Sequence, residues 1–376
     1  MKKRYLLISI AFLATTSCLM SQVVYEISDC IRTGLDRNFS LLISRNNESV
    51  ARNNYTLGNA GYLPSLDMTG RYSGTVNDTR RNLSDGTETS SDGDHNTTAT
   101  VGLSMGLTVF NGFNVQTTYK KLGELKQVGE LNTQLAVENL VAQIVSAYYN
   151  YIQQIELLNN LKYAVVLSKE RLRIDEDRYL LGSSSKMQVL QSRVYLNADS
   201  SRLSRQYEVV RAAQVRLNEL MAVDDMSQTF TTPDTAIIVN PGLLYESLFE
   251  QTLQNNTNLK IASSNKTISE YDKKIIISRS YPYLTASSGY NYSINNYSSG
   301  ATDRQYTNGL NYGLSMGINL FDGFNQQRSI RNSIIDINTR ELRYQEAEQG
   351  IKADLITLYS AYSNYLRLIT LEYQNL

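Results

Sequence analysis

Four segments of the chain alternate apolar and polar side chains with a period of two, which is the pattern of a half-exposed β-strand. They are residues 66–76, 98–109, 284–294 and 306–320. Residues 77–97, between the first two, are polar throughout and predict a solvated loop that contains His95. The strands fall into two consecutive pairs, and we expect each pair to form a hairpin.

Each predicted strand is apolar on one face and small or polar on the other. A soluble sheet would pack its apolar face on a core, whereas a membrane barrel would turn that face to lipid and the polar face to a water-filled lumen. In the barrel interpretation the lipid-facing residues are Leu103, Met105, Leu107, Leu314, Met316 and Ile318. The lumen-facing residues are Thr69, Arg71, Ser104, Thr108, Asn291, Asn311 and Ser315. Aromatic residues at the strand ends would form an interfacial girdle, and they include Phe110, Phe113, Phe321 and Phe324.

Residues 1–21 predict an export signal. Lys2, Lys3 and Arg4 form a charged start, and residues 5–14 form an apolar stretch that is too short to span a bilayer. The dipeptide Ser17-Cys18 leaves open an alternative in which Cys18 is lipidated. No later segment approaches the roughly 18 consecutive apolar residues of a transmembrane helix. Any membrane span of this exported chain must therefore consist of strands, and export favours the barrel over the soluble sheet.

The remaining segments predict helices. Residues 28–61 are helical with a break near Asn38-Phe39, Ser28 can cap the first piece, and Pro64 ends the second. Residues 130–181 contain neither Gly nor Pro and carry one apolar stripe with helical spacing. The run Gly182-Ser183-Ser184-Ser185 then predicts a tight reversal. After it an apolar residue recurs every seven positions, at Val189, Leu196, Leu203, Val210 and Leu217, so the second helix returns antiparallel to the first.

The chain contains two copies of one unit. Residues 102–114 and 313–325 have nearly the same sequence, and each runs from a strand through Asn/Asp-Gly into a helix. We expect residues 22–232 to form the first repeat, with a β-hairpin at 64–110 and a helical hairpin at 113–222. Residues 233–376 form a connector and the second repeat, with a β-hairpin at 282–321. The second repeat lacks a helical tip and a returning helix, so we expect a C-terminally truncated chain that does not assemble stably by itself.

Composition excludes several classes of function. The chain has 36 basic and 36 acidic residues and a net charge of zero, which argues against a nucleic-acid partner. Its 2 cysteines and 1 histidine leave almost no material for a metal site, and no Gly-rich loop ends in Lys-Ser/Thr. We therefore expect no cofactor, no metal and no enzymatic activity. The charged run at residues 170–178 is interpreted as a solvated helix face.

The order of these segments resembles the TolC-like outer-membrane efflux proteins. The resemblance rests on three motifs, Tyr62-Leu63-Pro64-Ser65-Leu66, Leu320-Phe321-Asp322-Gly323-Phe324 and residues 178–190, and it covers the chain from about residue 25 to its end. The third motif is similar to the family's tip, where Gly and Ser/Thr precede an Asp/Glu-Val-Leu run. Here Gln188 replaces the acid, and Asn38-Phe39 replaces the family's Asn-Pro.

Four strands cannot close a membrane barrel, and open edges cannot face lipid because their backbone groups would lack partners. Copies of the chain must therefore associate: two would give eight strands with a filled interior, and three would give twelve with room for a pore. The resemblance implies the trimer, an α+β membrane protein of the cell outer membrane with four transmembrane strands per chain and a periplasmic barrel of long antiparallel helical hairpins.

The resemblance also implies a function as the outer-membrane channel of a tripartite efflux system for small molecules. Its partners would be an inner-membrane transporter and a periplasmic adaptor, which would dock at the tip formed by Gly182, Ser183, Ser184 and Ser185. Two alternatives remain. One is the exit duct of a type I protein secretion system, which has the same architecture. The other is a periplasmic coiled-coil scaffold or adaptor without a pore, which predicts no set of four strands. The sequence does not identify the cargo.

Overall fold

The structure is a computed structural model that describes residues 23–234 and 239–375. The predicted export signal and Cys18 lie outside the described residues. The elements in chain order are β1 (Val23–Val24), α1 (Ile27–Arg37), α2 (Phe39–Asn54), α3 (Leu57–Ala60), β2 (Ser65–Asn82), β3 (Glu88–Asn111), α4 (Asn114–Leu180), α5 (Lys186–Met221), β4 (Phe230–Thr231), α6 (Tyr245–Asn255), α7 (Thr257–Ser278), β5 (Tyr283–Asn296), β6 (Arg304–Gly317) and α8 (Asn325–Asn375).

The long strands form one antiparallel sheet in the order β2-β3-β5-β6, and β1 pairs with β4 in a separate parallel ribbon. Within the four-stranded sheet, β3 pairs with both β2 and β5. The two hairpins are thus joined side by side, with β2 and β6 as the outer strands.

The prediction of a loop at residues 77–97 is wrong, because most of these residues belong to paired strands. β2 continues to Asn82 and β3 begins at Glu88, so the turn is confined to residues 83–87. His95 therefore lies on a strand, opposite Val76, and a register shift falls between Asn77 and Thr79. Polar side chains on both faces erase the alternation that identifies a strand, although the backbone ladder continues through them.

Three expected element ends also differ. The fourth strand ends at Gly317 rather than Leu320, so Ile318 lies just beyond it. Ser28 lies inside the first turn of α1, and the backbone N–H of Glu26 donates to Asp29 Oδ2 at 3.3 Å instead. The short helix α3 ends at Ala60 and is capped by Gly61, whose φ of +91° is left-handed, before Pro64 is reached.

The helix break at Asn38 is stabilised by that residue's side chain. Asn38 Oδ1 accepts from the backbone N–H of Leu41 at 3.2 Å, and Asn38 Nδ2 donates to the Leu220 carbonyl at 3.0 Å. Asn256 holds the equivalent place between α6 and α7, where its Oδ1 accepts from the backbone N–H groups of Asn258 and Leu259. The same cap thus begins the second helix of each repeat.

The chain divides into two compact units. The first combines the described part of Met1–Arg45 with Thr133–Leu243, and the second combines Asn46–Asn132 with Leu244–Leu376. In the first unit, α4 and α5 run antiparallel, because Asp175 accepts from Ser192, whereas Gln154, earlier on α4, accepts from Gln206, later on α5. Their facing stripes, with α1 and the segment around β4, form a core whose most buried members are Cys30, Leu41, Ile144, Tyr148, Leu217, Met221 and Phe230.

The second unit contains the four-stranded sheet and the antiparallel pair α7 and α8. Lys266 Nζ on α7 lies 2.7 Å from Glu341 Oε2 on α8, and this ion pair raises the pKa of Lys266 and lowers that of Glu341. Along α8 several large apolar side chains remain exposed, among them Ile335, Leu342 and Leu358.

The helices of the described residues range from the 4 residues of α3 to the 67 residues of α4. None of them is long and apolar enough to cross a bilayer.

Candidate functional site

The pairing register collects the apolar side chains of all four strands on one face of the sheet. Leu103 lies opposite Met68 on β2 and Tyr290 on β5. Met316 lies opposite Leu284, and Leu314 lies opposite Ala286. The same face carries Met105 and Leu107, whereas Ile318 follows the end of β6.

The other face collects the polar residues predicted for the lumen. Ser104 lies opposite Asp67 and Gly289, and Asn291 lies opposite Gly102. The remaining members, by the same register, are Thr69, Arg71, Thr108, Asn311 and Ser315. Hydrogen bonds cross between strands here, for example from Thr98 Oγ1 to Asn295 Oδ1 at 2.9 Å.

Glycines on this polar face leave room for asparagine side chains to lie flat across the neighbouring strand. A β-carbon at Gly102 would collide with the Asn291 side chain, and one at Gly289 would come within 2.7 Å of Asn311 Oδ1. The polar face is therefore lined by amides and hydroxyls rather than by bulky side chains.

Neither face of the sheet is covered by another described part of the chain. On the apolar face Leu66, Met68, Leu314 and Met316 are 71%, 74%, 72% and 74% exposed. The polar face is open as well, and of the residues predicted for the lumen only Thr108 is partly buried. A sheet that stabilised a soluble domain would cover its apolar face with helices or a second sheet.

The phenylalanines predicted for the girdle meet in two matching pairs at the strand-to-helix junctions. The rings of Phe110 and Phe113 lie edge to face with centroids 5.3 Å apart, and those of Phe321 and Phe324 repeat this geometry at 5.3 Å. Phe113 and Phe324 have φ values of +66° and +63°, which residues other than Gly rarely adopt. The repeat thus conserves a strained turn together with its aromatic pair.

Each of these turns has a capping side chain that the sequence analysis did not assign. Asn111 Oδ1 accepts from the backbone N–H of Val115 at 3.3 Å, and Asp322 Oδ2 accepts from that of Gln326 at 2.7 Å. The sequence could have predicted these caps, because Asn or Asp occupies the same position before both helices. Such a side chain satisfies a backbone N–H that would otherwise lack a partner.

The helical tip has the geometry of a capped reversal. Gly182 has a φ of +76°, and the backbone N–H of Ser183 donates to the Arg178 carbonyl at 2.8 Å. Ser185 then caps α5, because its Oγ accepts from the backbone N–H of Gln188 at 3.3 Å. Ser184 lies in the turn between Ser183 and Ser185. The surrounding side chains Leu180, Leu181 and Met187 are 81%, 83% and 78% exposed, so an apolar patch surrounds the turn.

Charged residues flank the tip on α4. Arg173 bonds to both Glu170 and Asp177, and its guanidinium holds the pKa of the Glu170 carboxyl below its usual value. Sequence reasoning did not identify the buried Asp175, which accepts a hydrogen bond from Ser192 on α5. A run of charges identifies a polar helix face, but it does not reveal which carboxylate points at the partner helix.

Among residues 23–234 and 239–375, no group of three or more His, Cys, Asp or Glu side chains is arranged to hold a metal ion. The features that the structure brings together are therefore two surfaces: the two-faced sheet and the helical tip.

Known proteins resemble this chain in sequence. The sequence model of a family described as outer membrane efflux protein matches residues 30–223. The outer membrane protein TolC of Vibrio cholerae serotype O1 is 28% identical over 184 residues, which are 48% of this chain and 40% of that protein. The chain thus aligns with less than half the length of this curated relative.

Solved structures share the fold. The Campylobacter jejuni CmeC outer membrane channel superposes with a TM-score of 0.69 and 16% identity, over 93% of this chain and 72% of that chain. The Vibrio cholerae outer membrane protein VceC gives 0.67 and 15%, over 91% and 78%. At such identities the likeness concerns the fold alone. The family match, however, spans just over half of the sequence, and the chain belongs to the outer membrane efflux protein family.

Proposed function

We propose that the protein is the outer-membrane channel of a tripartite efflux system and conducts small molecules from the periplasm to the exterior. The observation that carries the proposal is the sheet, whose apolar and polar faces are both exposed. Lipid on the first face and water on the second would satisfy both, as in a transmembrane barrel.

The height of the apolar face fits a bilayer. Residues paired across the strands form rows, and the apolar rows extend along β3 from Ala99 to Phe110. The row beyond Ala99 on this face consists of Thr97, Gly74 and Asn296 and carries no apolar side chain. At about 3.3 Å per residue these rows span about 36 Å along the strand. A strand tilt of about 40° reduces this to roughly 28 Å, close to the apolar band of about 25 Å in outer-membrane barrels.

The outer strands β2 and β6 supply the contacts for assembly. Each pairs with a single neighbour within the described sheet, so each has one open edge. Lipid offers no partner for the N–H and C=O groups of such an edge, but β6 of one copy can pair with β2 of the next. Three copies would close twelve strands around a lumen lined by the polar face, so we propose a homotrimer.

The tip at Gly182, Ser183, Ser184 and Ser185 is proposed to dock a periplasmic adaptor, which would link the channel to an inner-membrane transporter. The exposed Leu180, Leu181 and Met187 around a rigid capped turn support this assignment. Val at position 182 would carry a β-branched side chain at a φ of +76°, a combination that L-residues strongly disfavour.

Two alternative functions differ from this proposal, one in the cargo that is released and the other in whether the protein needs transmembrane strands. A type I secretion duct would have the same architecture and would release a protein instead of small molecules. A scaffold without a pore requires no set of four strands, so the two-faced sheet weighs against it. No observation on the described residues favours an enzymatic role.

The test uses the full-length protein in a strain that lacks its own copy. For the wild type and for Gly182→Val we measure drug accumulation, secreted protein in the medium and trimer on a native gel. Gly86→Val is the matched control, because Gly86 is a left-handed glycine in the β2–β3 turn. We expect the wild type to lower drug accumulation and Gly182→Val to abolish efflux while trimers persist. Wild-type trimers that conduct no drug, or no trimers at all, would contradict the proposal.

A further inference from the structure

Two charged side chains stand out on the polar face of the sheet. At the height of the apolar rows, the polar face of all four strands consists of Ser, Thr, Asn, Gln and Gly residues. The exceptions are Asp67 and Arg71 on β2. Asp67 lies opposite Ser104, and Arg71 lies opposite Thr100. Both side chains are exposed.

Neither charge is neutralised by an ion pair among the described residues. Four residues along a strand separate the two groups by about 13 Å, which is too far for contact. Their cross-strand neighbours carry hydroxyl groups only. On its other edge β2 is open, and closure would bring it beside β6 of the next copy.

Strand β6 offers no counter-charge on that face. Its polar-face residues are Gln305, Thr307, Gly309, Asn311, Gly313, Ser315 and Gly317. Whatever the register between copies, Asp67 and Arg71 would therefore remain unpaired in a closed barrel and would point at water.

We propose that Asp67 and Arg71 form two rings of opposite charge inside the barrel and set its charge selectivity. This rests on the proposed function, since it requires the polar face to line a pore. Three copies contribute three carboxylates at one level and three guanidinium groups at another. β2 begins at the end of the sheet that is joined to the helices, so an outgoing solute meets the Asp67 ring first and the Arg71 ring afterwards.

The rings act through screened Coulomb forces. In a water-filled lumen each single charge interacts weakly with a passing ion because the dielectric constant is high. Three equal charges at one level add, and at about 0.01 M salt the Debye length of roughly 30 Å leaves them little screened over the few ångströms to a passing ion. Removing one ring should then change the cation-to-anion permeability ratio by about threefold, and about 1 M salt should abolish the change.

The experiment measures reversal potentials across planar lipid bilayers under a KCl gradient, with the purified full-length protein. Arg71→Gln should shift the permeability ratio toward potassium, and Asp67→Asn should shift it toward chloride. Arg71→Lys and Asp67→Glu keep the charges and should keep the wild-type ratio. Arg80→Gln is the matched control, because Arg80 lies further along the same strand and pairs with Glu88.

The outcomes separate the two proposals. Opposite shifts for Arg71→Gln and Asp67→Asn, with none for Arg80→Gln, support the rings. Conducting channels whose ratio is unchanged in both variants, or changes equally in Arg80→Gln, overturn the rings and leave the channel standing. A wild-type protein that gives no conductance at all overturns the channel and the rings together.

Discussion

The core of the first unit and the four-stranded sheet use the same apolar residue types in opposite ways. Leu217, Ile144 and Met221 are 0% exposed between α4, α5 and their neighbours, whereas Leu314 and Met316 on the sheet are 72% and 74% exposed. Each set is regular along the sequence and each lies on one face of its element. The helical face is covered by the chain itself, and the face of the sheet is not.

The difference shows where each region obtains its stability. Burial of apolar surface within the chain stabilises the helical unit directly. The sheet contributes a ladder of backbone hydrogen bonds, but in the proposed orientation its apolar side chains would gain only what lipid provides. A mutation that removes an apolar group should therefore weaken the first region, and one that adds a charge should weaken the second.

The largest expected effect is at the helical core. Leu217→Ala or Ile144→Ala should lower the free energy of unfolding by about 2–5 kcal/mol, because each leaves a cavity between packed helices. Leu310→Ala on the sheet is the matched control, since Leu310 is 68% exposed and leaves no cavity. Urea unfolding followed by circular dichroism measures the three changes. Equal losses at all three positions would contradict the comparison.

The next effect is the cost of charge on the apolar face. Arg at Leu103, Met105, Leu314 or Met316 should each cost about 2–4 kcal/mol near the bilayer midplane. Ser104→Arg and Ser315→Arg are the controls on the opposite face, where water can solvate the guanidinium. The yield of assembled protein in the outer membrane is the readout. Equal tolerance on both faces would show that the orientation of the sheet is wrong.

The same comparison explains what the sequence could and could not reveal. The structure adds the pairing of Leu103 with Tyr290 and Met68. Alternation identified the faces, because successive side chains of a strand point to opposite faces, except where the register shifts between Thr108 and Phe110. It failed beyond Asn77, where both faces are polar. The contacts of Tyr148 with Asp234 and of Asp175 with Ser192 join distant or opposing segments, and no local pattern encodes such pairs.

A smaller effect concerns the polar contacts of the core. The Tyr148 hydroxyl donates to Asp234 Oδ2 at 2.7 Å, and burial, followed by that carboxylate, raises the pKa of Tyr148. Tyr148→Phe should cost about 1–3 kcal/mol, because the carboxylate loses its donor. Tyr163→Phe, at a position 75% exposed, should change nothing. A stability loss in Tyr163→Phe as large as that in Tyr148→Phe would mean that the buried hydroxyl has no special role.

The smallest effect is on reactivity rather than stability. Burial raises the pKa of the Cys30 thiol to about 12, so the native protein should resist maleimide at pH 8 and react after unfolding. Because the folded pKa is the higher one, the stability that this thiol contributes is full below its ordinary pKa of 9.0 and is lost as the pH rises toward 12. Cys30→Ser combined with Ser28→Cys moves the thiol to an exposed position and should react at once. Fast labelling of native Cys30 would show that this part of the core is open.

The most direct test of the two-faced sheet compares adjacent positions in the membrane. Single cysteines at residues 101–106 of β3 are spin-labelled in the purified full-length protein reconstituted into vesicles, and their accessibility to oxygen and to a water-soluble nickel complex is measured. The predicted result alternates with a period of two: oxygen, which concentrates in lipid, reaches positions 101, 103 and 105, and nickel reaches positions 102, 104 and 106. Uniform access of nickel to all six positions would contradict the account, because the apolar face would then lie in water.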